Sequence, residues 1–260
     1  MTDSFQEIIY TEKHNIATIR LNRPDAYNAL TPIMLKEITK SLKHANKDPK
    51  IRTIMMTGSG RAFSAGQDLH SIEEATRYGD FLKSSYHPLL NMMRSVEKPI
   101  VAAVNGTAAG AGMSIALAAD FRLVQPRTKF VSAFVNIGLI PDAGFLSVLP
   151  RIVGYAKAME ISVLGDPISG TEAVGLHLAS LCIDEADWEE QIEQFTRRLA
   201  DSPTRAVGLI KRYMYDGMDQ SYDVLLEKEA AAQTIAGQSD DHVEGLHAFK
   251  EKRTPTFTGH

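Results

Sequence analysis

The chain is 260 residues long, 44% hydrophobic and 23% charged, the balance of an ordinary soluble globular protein with enough chain to bury a real core. A net charge of −4 leaves no basic footprint for nucleic acid, and one cysteine, Cys182, excludes an internal disulfide framework and suits a reducing compartment. The polar start 1–7 lacks a signal-peptide pattern, and the longest apolar stretch, 100–117, is broken by Asn105, Thr107 and Ser114, so a cytoplasmic chain with no membrane partner is expected.

In chain order, 8–10 and 16–21 read as short strands turning at His14-Asn15, and Asn22-Arg23-Pro24-Asp25 ends the run. A helix follows, with Thr31 as N-cap, Pro32 at its first position, and an apolar face of Ile33, Leu35, Ile38 and Leu42. Residues 51–57 are a buried strand closed by Gly58-Ser59-Gly60. A strand at 100–104 feeds a Gly/Ala-rich helix, strands follow at 120–124 and 129–131, and a helix covers 155–164. Strand, strand, helix in succession predicts a stacked α/β core rather than a simple βαβ sheet. From Asp187 to Lys252 the pattern is amphipathic helix almost throughout (188–200, 204–215 and 221–236), with breaks at Pro203 and Gly237. A tail of that length needs a neighbour to bury its apolar stripe.

Two turns carry small residues. The first, 60–69, reads Gly-Arg-Ala-Phe-Ser-Ala-Gly-Gln-Asp-Leu; the second, 104–114, reads Val-Asn-Gly-Thr-Ala-Ala-Gly-Ala-Gly-Met-Ser. Small side chains let a ligand approach the backbone, and one N–H from each turn, aimed at the same point, would form an oxyanion hole. The same residues also serve close helix–sheet packing. Neither turn matches a dinucleotide or P-loop fingerprint, and the eight histidines show no spacing such as His-x-x-x-His, so no metal is expected.

Several segments, in this order, resemble the enoyl-CoA hydratase/isomerase (crotonase) superfamily over nearly the whole chain. They are Asn22-Arg23-Pro24 with Asn28-Ala29-Leu30, then 63–69, 98–106 (Lys-Pro-Ile-Val-Ala-Ala-Val-Asn-Gly), 137–144 (Ile-Gly-Leu-Ile-Pro-Asp-Ala-Gly) and 252–257 (Lys-Arg-Thr-Pro-Thr-Phe). The resemblance implies an α/β crotonase spiral of ββα units over 1–195, a helical oligomerisation region over 196–260, and a homotrimer or dimer of trimers. It implies an acyl-CoA substrate and no separate cofactor, coenzyme A arriving as part of the thioester. It assigns the thioester oxygen to the backbone N–H groups of Gln67 and Ala111, with Ser64, Ala65, Gly66, Asp68, Leu69 and Gly110 around the ligand. An enolate formed next to a thioester collects charge on that oxygen, and one donor there is worth about 3 kcal/mol.

Family hydratases carry two glutamates, and the matching positions here are Ser114 and Phe134. Neither can exchange a proton near neutral pH. Asp142, in Ile140-Pro141-Asp142-Ala143-Gly144, resembles the single acid/base of the isomerase members, of the Δ3,Δ2-enoyl-CoA and ring-1,2-epoxyphenylacetyl-CoA types. Read alone, a Pro-Asp dipeptide is an ordinary turn. Phe134, Phe145 and Leu146, lining the pocket, would raise the Asp142 pKa and exclude water. The expected activity is double-bond isomerisation with Asp142 as acid/base. Its rivals are a 2-enoyl-CoA hydratase, a serine hydrolase at Ser114 (which lacks the nucleophile-elbow glycine) and a non-catalytic CoA- or RNA-binding relative. Asp68 reads as holding its turn and His70 as solvated. Arg23, Lys250, Lys252 and Arg253 are candidates for the CoA phosphates, while Ala26-Tyr27 replaces the family's frequent lysine before Asn-Ala-Leu.

Overall fold

β1 (Ile8–Lys13) and β2 (Ile16–Leu21) form an antiparallel hairpin. His14 and Asn15 take φ of 52° and 62°, the pair of positive values that a two-residue primed turn requires. The structure, a computed structural model, describes residues 5–71 and 77–260; the reading of residues 1–4 therefore lies outside the described residues. α1 (Pro32–Lys47) starts where expected, with the Met34 N–H donating to Thr31 Oγ1 at 3.1 Å. It buries Met34, Leu35, Ile38, Leu42 and Ala45, the i, i+3, i+4 stripe that packs a helix on a core. Ile33 was expected on that face but is 48% exposed, because two residues' separation from Leu35 turns it to the far side of the helix.

β3 (Thr53–Gly58) and β4 (Ala62–Ser64) follow. Then comes a helical stretch the apolar pattern does not reveal: α2 (Tyr78–Phe81), a π-helical turn over Leu82–Tyr86, and α3 (His87–Ser95). β5 (Ile100–Val104), β6 (Thr107–Ala109) and α4 (Ala111–Leu117) form the next unit, and β7 (Phe121–Val124) and β8 (Lys129–Val131) begin another. α5 (Phe145–Val153), α6 (Tyr155–Leu164), β9 (Ile168–Ser169), α7 (Gly170–Gly175) and β10 (Leu181–Cys182) complete the core. Four helices finish the chain: α8 (Trp188–Ala200), α9 (Thr204–Gly217), α10 (Tyr222–Gly237) and α11 (Asp240–Glu251).

The pairing explains the strand-strand-helix rhythm. One sheet has the order β1-β2-β3-β5-β7-β10 and the other β4-β6-β8-β9. Each of the units β3-β4, β5-β6 and β7-β8 sends its first strand to the larger sheet and its second to the smaller. Successive units stack in parallel register, which is the ββα spiral of the crotonase fold. β5 is buried on both faces, as a central parallel strand is. Its alternation assigns Ile100, Ala102 and Val104 to the main core, and Val101 and Ala103 to a second cluster with Trp188 and Ile192 of α8. The division expected between residues 195 and 196 falls inside α8, whose Phe195 and Leu199 pack on that same cluster. The C-terminal helices are pinned through Lys211, buried on α9, whose Nζ donates to Asp120 Oδ2 at 2.8 Å. The same carboxylate oxygen accepts the Ile100 N–H. Burial holds the Asp120 carboxyl above its ordinary range and Lys211 below its own, each opposed by the other's charge, and breaking such a pair leaves a buried charge uncompensated. Among the described residues no helix is long and apolar enough to cross a membrane.

Candidate active site

Three segments distant in the chain meet at one place. The loop after β4 is tied down by its backbone: Leu30 N–H donates to Gly66 O at 2.7 Å and Asp68 N–H to Leu30 O at 3.0 Å, while Ala65 N–H reaches Tyr27 O. Ser64, fully buried, donates its hydroxyl to Asn28 O at 2.8 Å and accepts the Gly66 N–H. Gly66 has φ of 93°, and a Cβ there would lie 2.7 Å from Ala109 O and 3.4 Å from Ala111 N. A Cβ on Gly112 would lie 2.6 Å from Ser64 O. Both positions therefore require glycine, by conformation in one case and by contact in both. Their small size is what lets the loop of Gln67 lie against the start of α4.

Among the described residues no acceptor pairs with the backbone N–H of Gln67 or with that of Ala111, the first residue of α4. Backbone amides left unpaired by the protein take an acceptor from water or from a ligand. Gly110, in contrast, donates to Val131 O at 2.9 Å and accepts from Ser114 N, so it shapes the turn rather than offering a donor.

The third segment carries Asp142. The next two residues, Ala143 and Gly144, have φ of 51° and 81°; for a non-glycine residue such as Ala143 that conformation costs about 1–2 kcal/mol. Strain of this kind persists where the surroundings over-determine it, often at functional sites. Ser114 Oγ donates to the Asp142 carbonyl oxygen at 3.0 Å, linking α4 to this turn. Phe134 and Phe145 meet edge to face at 6.0 Å, both buried, and Phe134 Cζ lies 4.0 Å from where a Gly110 Cβ would sit. Asp142 Oδ1 is fully buried with no hydrogen-bond partner. Burial pushes its carboxyl pKa up to about 6, because desolvation disfavours the charged form. A carboxylate held without partners and poised near neutrality is suited to taking and returning a proton.

The other sequence-predicted residues separate by role. Asp68 holds its turn, accepting the His70 N–H at 3.1 Å and pairing with Arg23 Nη1 at 2.9 Å. Arg23 also reaches Ala29 O and Glu7, so it braces the loop. Leu69 and His70 are exposed, and so is Leu146, which does not join the Phe134–Phe145 pair. Arg253 pairs with Glu244 and Glu251, while Lys250 and Lys252 are exposed at the end of α11. A surface trio, Glu12 on β1, His44 on α1 and Asp48 at the C-terminal cap of α1, brings ligand-type atoms together. Sequence reasoning missed Tyr86, a buried phenol whose hydroxyl donates to Gln67 Oε1 at 2.7 Å. The signal for it is Pro88, a proline inside a helix where the turn must widen. Beside the Asp142 turn opens a cavity of about 810 Å3, with Leu90, Ala143, Gly144, Val148, Ile210 and Met214 in its walls.

The family model for enoyl-CoA hydratase/isomerase matches residues 11–260. A 1,2-epoxyphenylacetyl-CoA isomerase of Escherichia coli (strain K12) is 37% identical over 94% of this chain and 95% of its own. A protein of Rhodobacter capsulatus named "Probable enoyl-CoA hydratase" is 39% identical over 98% of this chain and 99% of its own. Among solved structures, an enoyl-CoA hydratase from Bacillus anthracis superposes with a TM-score of 0.91 at 30% identity, covering 98% of this chain and all of that one.

Proposed function

The chain belongs to the enoyl-CoA hydratase/isomerase family, and from that premise we propose that it is an isomerase that moves the double bond of an acyl-CoA with Asp142 as its acid/base. Asp142 takes a proton from C2 of a 3-enoyl-CoA, and the charge passes onto the thioester oxygen between the Gln67 and Ala111 amides. The double bond shifts from C3–C4 to C2–C3 as the same carboxyl returns the proton at C4. One proton leaves and one arrives, so a single carboxyl suffices and no other cofactor is needed. The acyl group is aliphatic or ring-derived.

The observation that carries this reading is the half-buried Asp142 carboxyl, its Oδ1 buried without a hydrogen-bond partner and its pKa raised to about 6, in a chain with Ser114 and Phe134 at the two positions where the family's hydratases carry glutamate. Hydration needs carboxyl groups at those two positions to activate and deliver water. Relatives named for isomerisation and for hydration match this chain at similar identity, so the choice rests on these residues. Purified protein assayed side by side on 3-enoyl-CoA, 2-enoyl-CoA and ring-1,2-epoxyphenylacetyl-CoA should migrate double bonds far faster than it adds water. Faster hydration of crotonyl-CoA than isomerisation of any 3-enoyl-CoA overturns the reading.

Ser114 supplies a sharper discrimination. Its hydroxyl holds the Asp142 backbone and moves no proton in this scheme. Ser114→Ala therefore loses one neutral hydrogen bond, worth about 1 kcal/mol, and isomerase kcat should stay within about tenfold of wild type. A variant without turnover would assign Ser114 to the chemistry.

We propose in addition that the enzyme works in the cytoplasm as a homotrimer or dimer of trimers. Ile210 and Met214 on α9, Tyr222 on α10 and Phe249 on α11 are exposed apolar side chains, and their burial between copies would remove that surface from water. Light scattering at micromolar concentration should return three or six times the chain mass, and a clean monomer refutes the assembly.

A further inference from the structure

Tyr86 lies at the end of the π-helical turn that joins α2 to α3. Pro88 explains the turn: it has no N–H to donate to the carbonyl four residues back, and its ring crowds that carbonyl. The chain widens instead, and His87 N–H bonds Leu82 O five residues back. Widened turns of this type re-aim side chains and recur at functional sites. Here the phenol is directed into the protein, 2% exposed, with its ring edge-on to Phe81 at 5.9 Å.

Two contacts define where that side chain points. Leu90 stands one helical turn beyond Tyr86, on the same face. Leu90 Cδ1 lies 3.9 Å from where a Cβ on Gly144 would sit, so this face of α3 packs on the Asp142 turn. The Tyr86 hydroxyl meanwhile donates to the side-chain oxygen of Gln67 at 2.7 Å, and Gln67 Nε2 reaches Asp68 O at 3.3 Å. The Gln67 terminal amide is thus held through both its oxygen and its nitrogen. Tyr86 is also close enough to feel the Asp142 charge, which adds to burial in raising the phenol's pKa. It remains a proton donor at every working pH.

We propose that Tyr86 is a positioning residue for the reaction: its hydroxyl, through the Gln67 side chain, orients the Gln67 peptide so that its N–H faces the thioester oxygen. The inference rests on the function proposed above only in placing that oxygen between Gln67 and Ala111. Oxyanion donors act by being fixed before charge develops. A peptide whose side-chain amide is anchored loses less alignment than one held by its neighbours alone. The clamp reaches the site from the π-helical turn that precedes α3.

The test uses Tyr86→Phe, Gln67→Met and the double variant in the full-length protein. Tyr86→Phe keeps the buried ring and removes one hydrogen bond, so kcat on the reactive acyl-CoA should fall about tenfold, with KM within about twofold. A second readout is independent of turnover. An arylacryloyl-CoA, a conjugated thioester with no double bond to migrate, should show a red-shifted absorption on binding wild type as its carbonyl is polarised. That shift should be reduced in Tyr86→Phe at unchanged affinity. Gln67→Met, which also removes the Nε2 bond to Asp68 O, should lose at least as much, and the double variant should be no worse than Gln67→Met, because it removes no further hydrogen bond. A Tyr86→Phe enzyme with wild-type kcat and a full red shift, or with raised KM alone, overturns the clamp. A wild type that gives no red shift removes the oxyanion site itself and the role of Tyr86 with it. A wild type that shifts the chromophore but does not isomerise refutes the isomerase reading and leaves the clamp standing.

Discussion

Asp142→Asn should lower isomerase turnover by about a hundredfold to ten-thousandfold, the usual worth of a positioned acid/base. The amide preserves the shape of the side chain, and both backbone donors stay in place, so the affinity for an unreactive acyl-CoA should change little. A pH series adds a second signature. The wild-type carboxyl has its pKa pushed up to about 6 by burial and must be ionised to accept the first proton. kcat/KM should therefore fall tenfold per pH unit below about 6 and level off above it, whereas residual activity in the asparagine variant should lack that limb.

Stability should move in the opposite direction from activity. The folded carboxyl holds its proton more tightly than an unfolded one, so folding takes up a proton between the ordinary carboxylate range and about pH 6. This contribution to stability is present at the acid end of that window and is lost as pH rises through it. Above pH 7 the wild type carries a half-buried charge without a hydrogen-bond partner at Oδ1, which Asp142→Asn removes, and the variant should melt at a higher temperature. Full activity in the variant, or activity lost together with the fold, would sink the assignment.

Ala111→Pro should lower kcat by about a hundredfold to a thousandfold, the cost of one oxyanion donor. The substitution suits the question because Ala111 is the first residue of α4, a position where proline fits the helix and the lost N–H has no intrahelical partner. Proline also restricts the residue before it, and here that residue is Gly110, the most permissive choice. Far-ultraviolet circular dichroism should match wild type while turnover collapses. A variant that keeps its rate shows that the Ala111 N–H does not carry the enolate charge.

Much of the site's chemistry can be read in the chain. Thr31-Pro32 marks a helix start through a hydroxyl acceptor and a residue needing no hydrogen bond, and the structure has that cap. Period-two alternation finds β2, because a strand faces two environments in turn, while β5 is a continuous apolar run, as a strand buried on both faces is. The stretch over Tyr78–Ser95 is hidden for a physical reason: the π turn shifts the apolar register between Phe81 and Leu89, and Pro88 reads as a break. α5 is hidden likewise by Pro150 within it and Gly144 before it.

What the sequence by itself determined is which groups are present to react. A serine and a phenylalanine stand where hydration needs carboxyl groups, and an aspartate follows a proline in the 137–144 motif; no folding can change those functional groups. What only the tertiary structure decided is how they act. The approach of Gly66 to Ala111, the Ser114 hydroxyl on the Asp142 carbonyl and the Tyr86 hydroxyl on Gln67 join residues far apart in the chain. The raised pKa of Asp142 has the same origin. Ionisation depends on the water a group loses, and that loss comes only when the fold closes around the side chain.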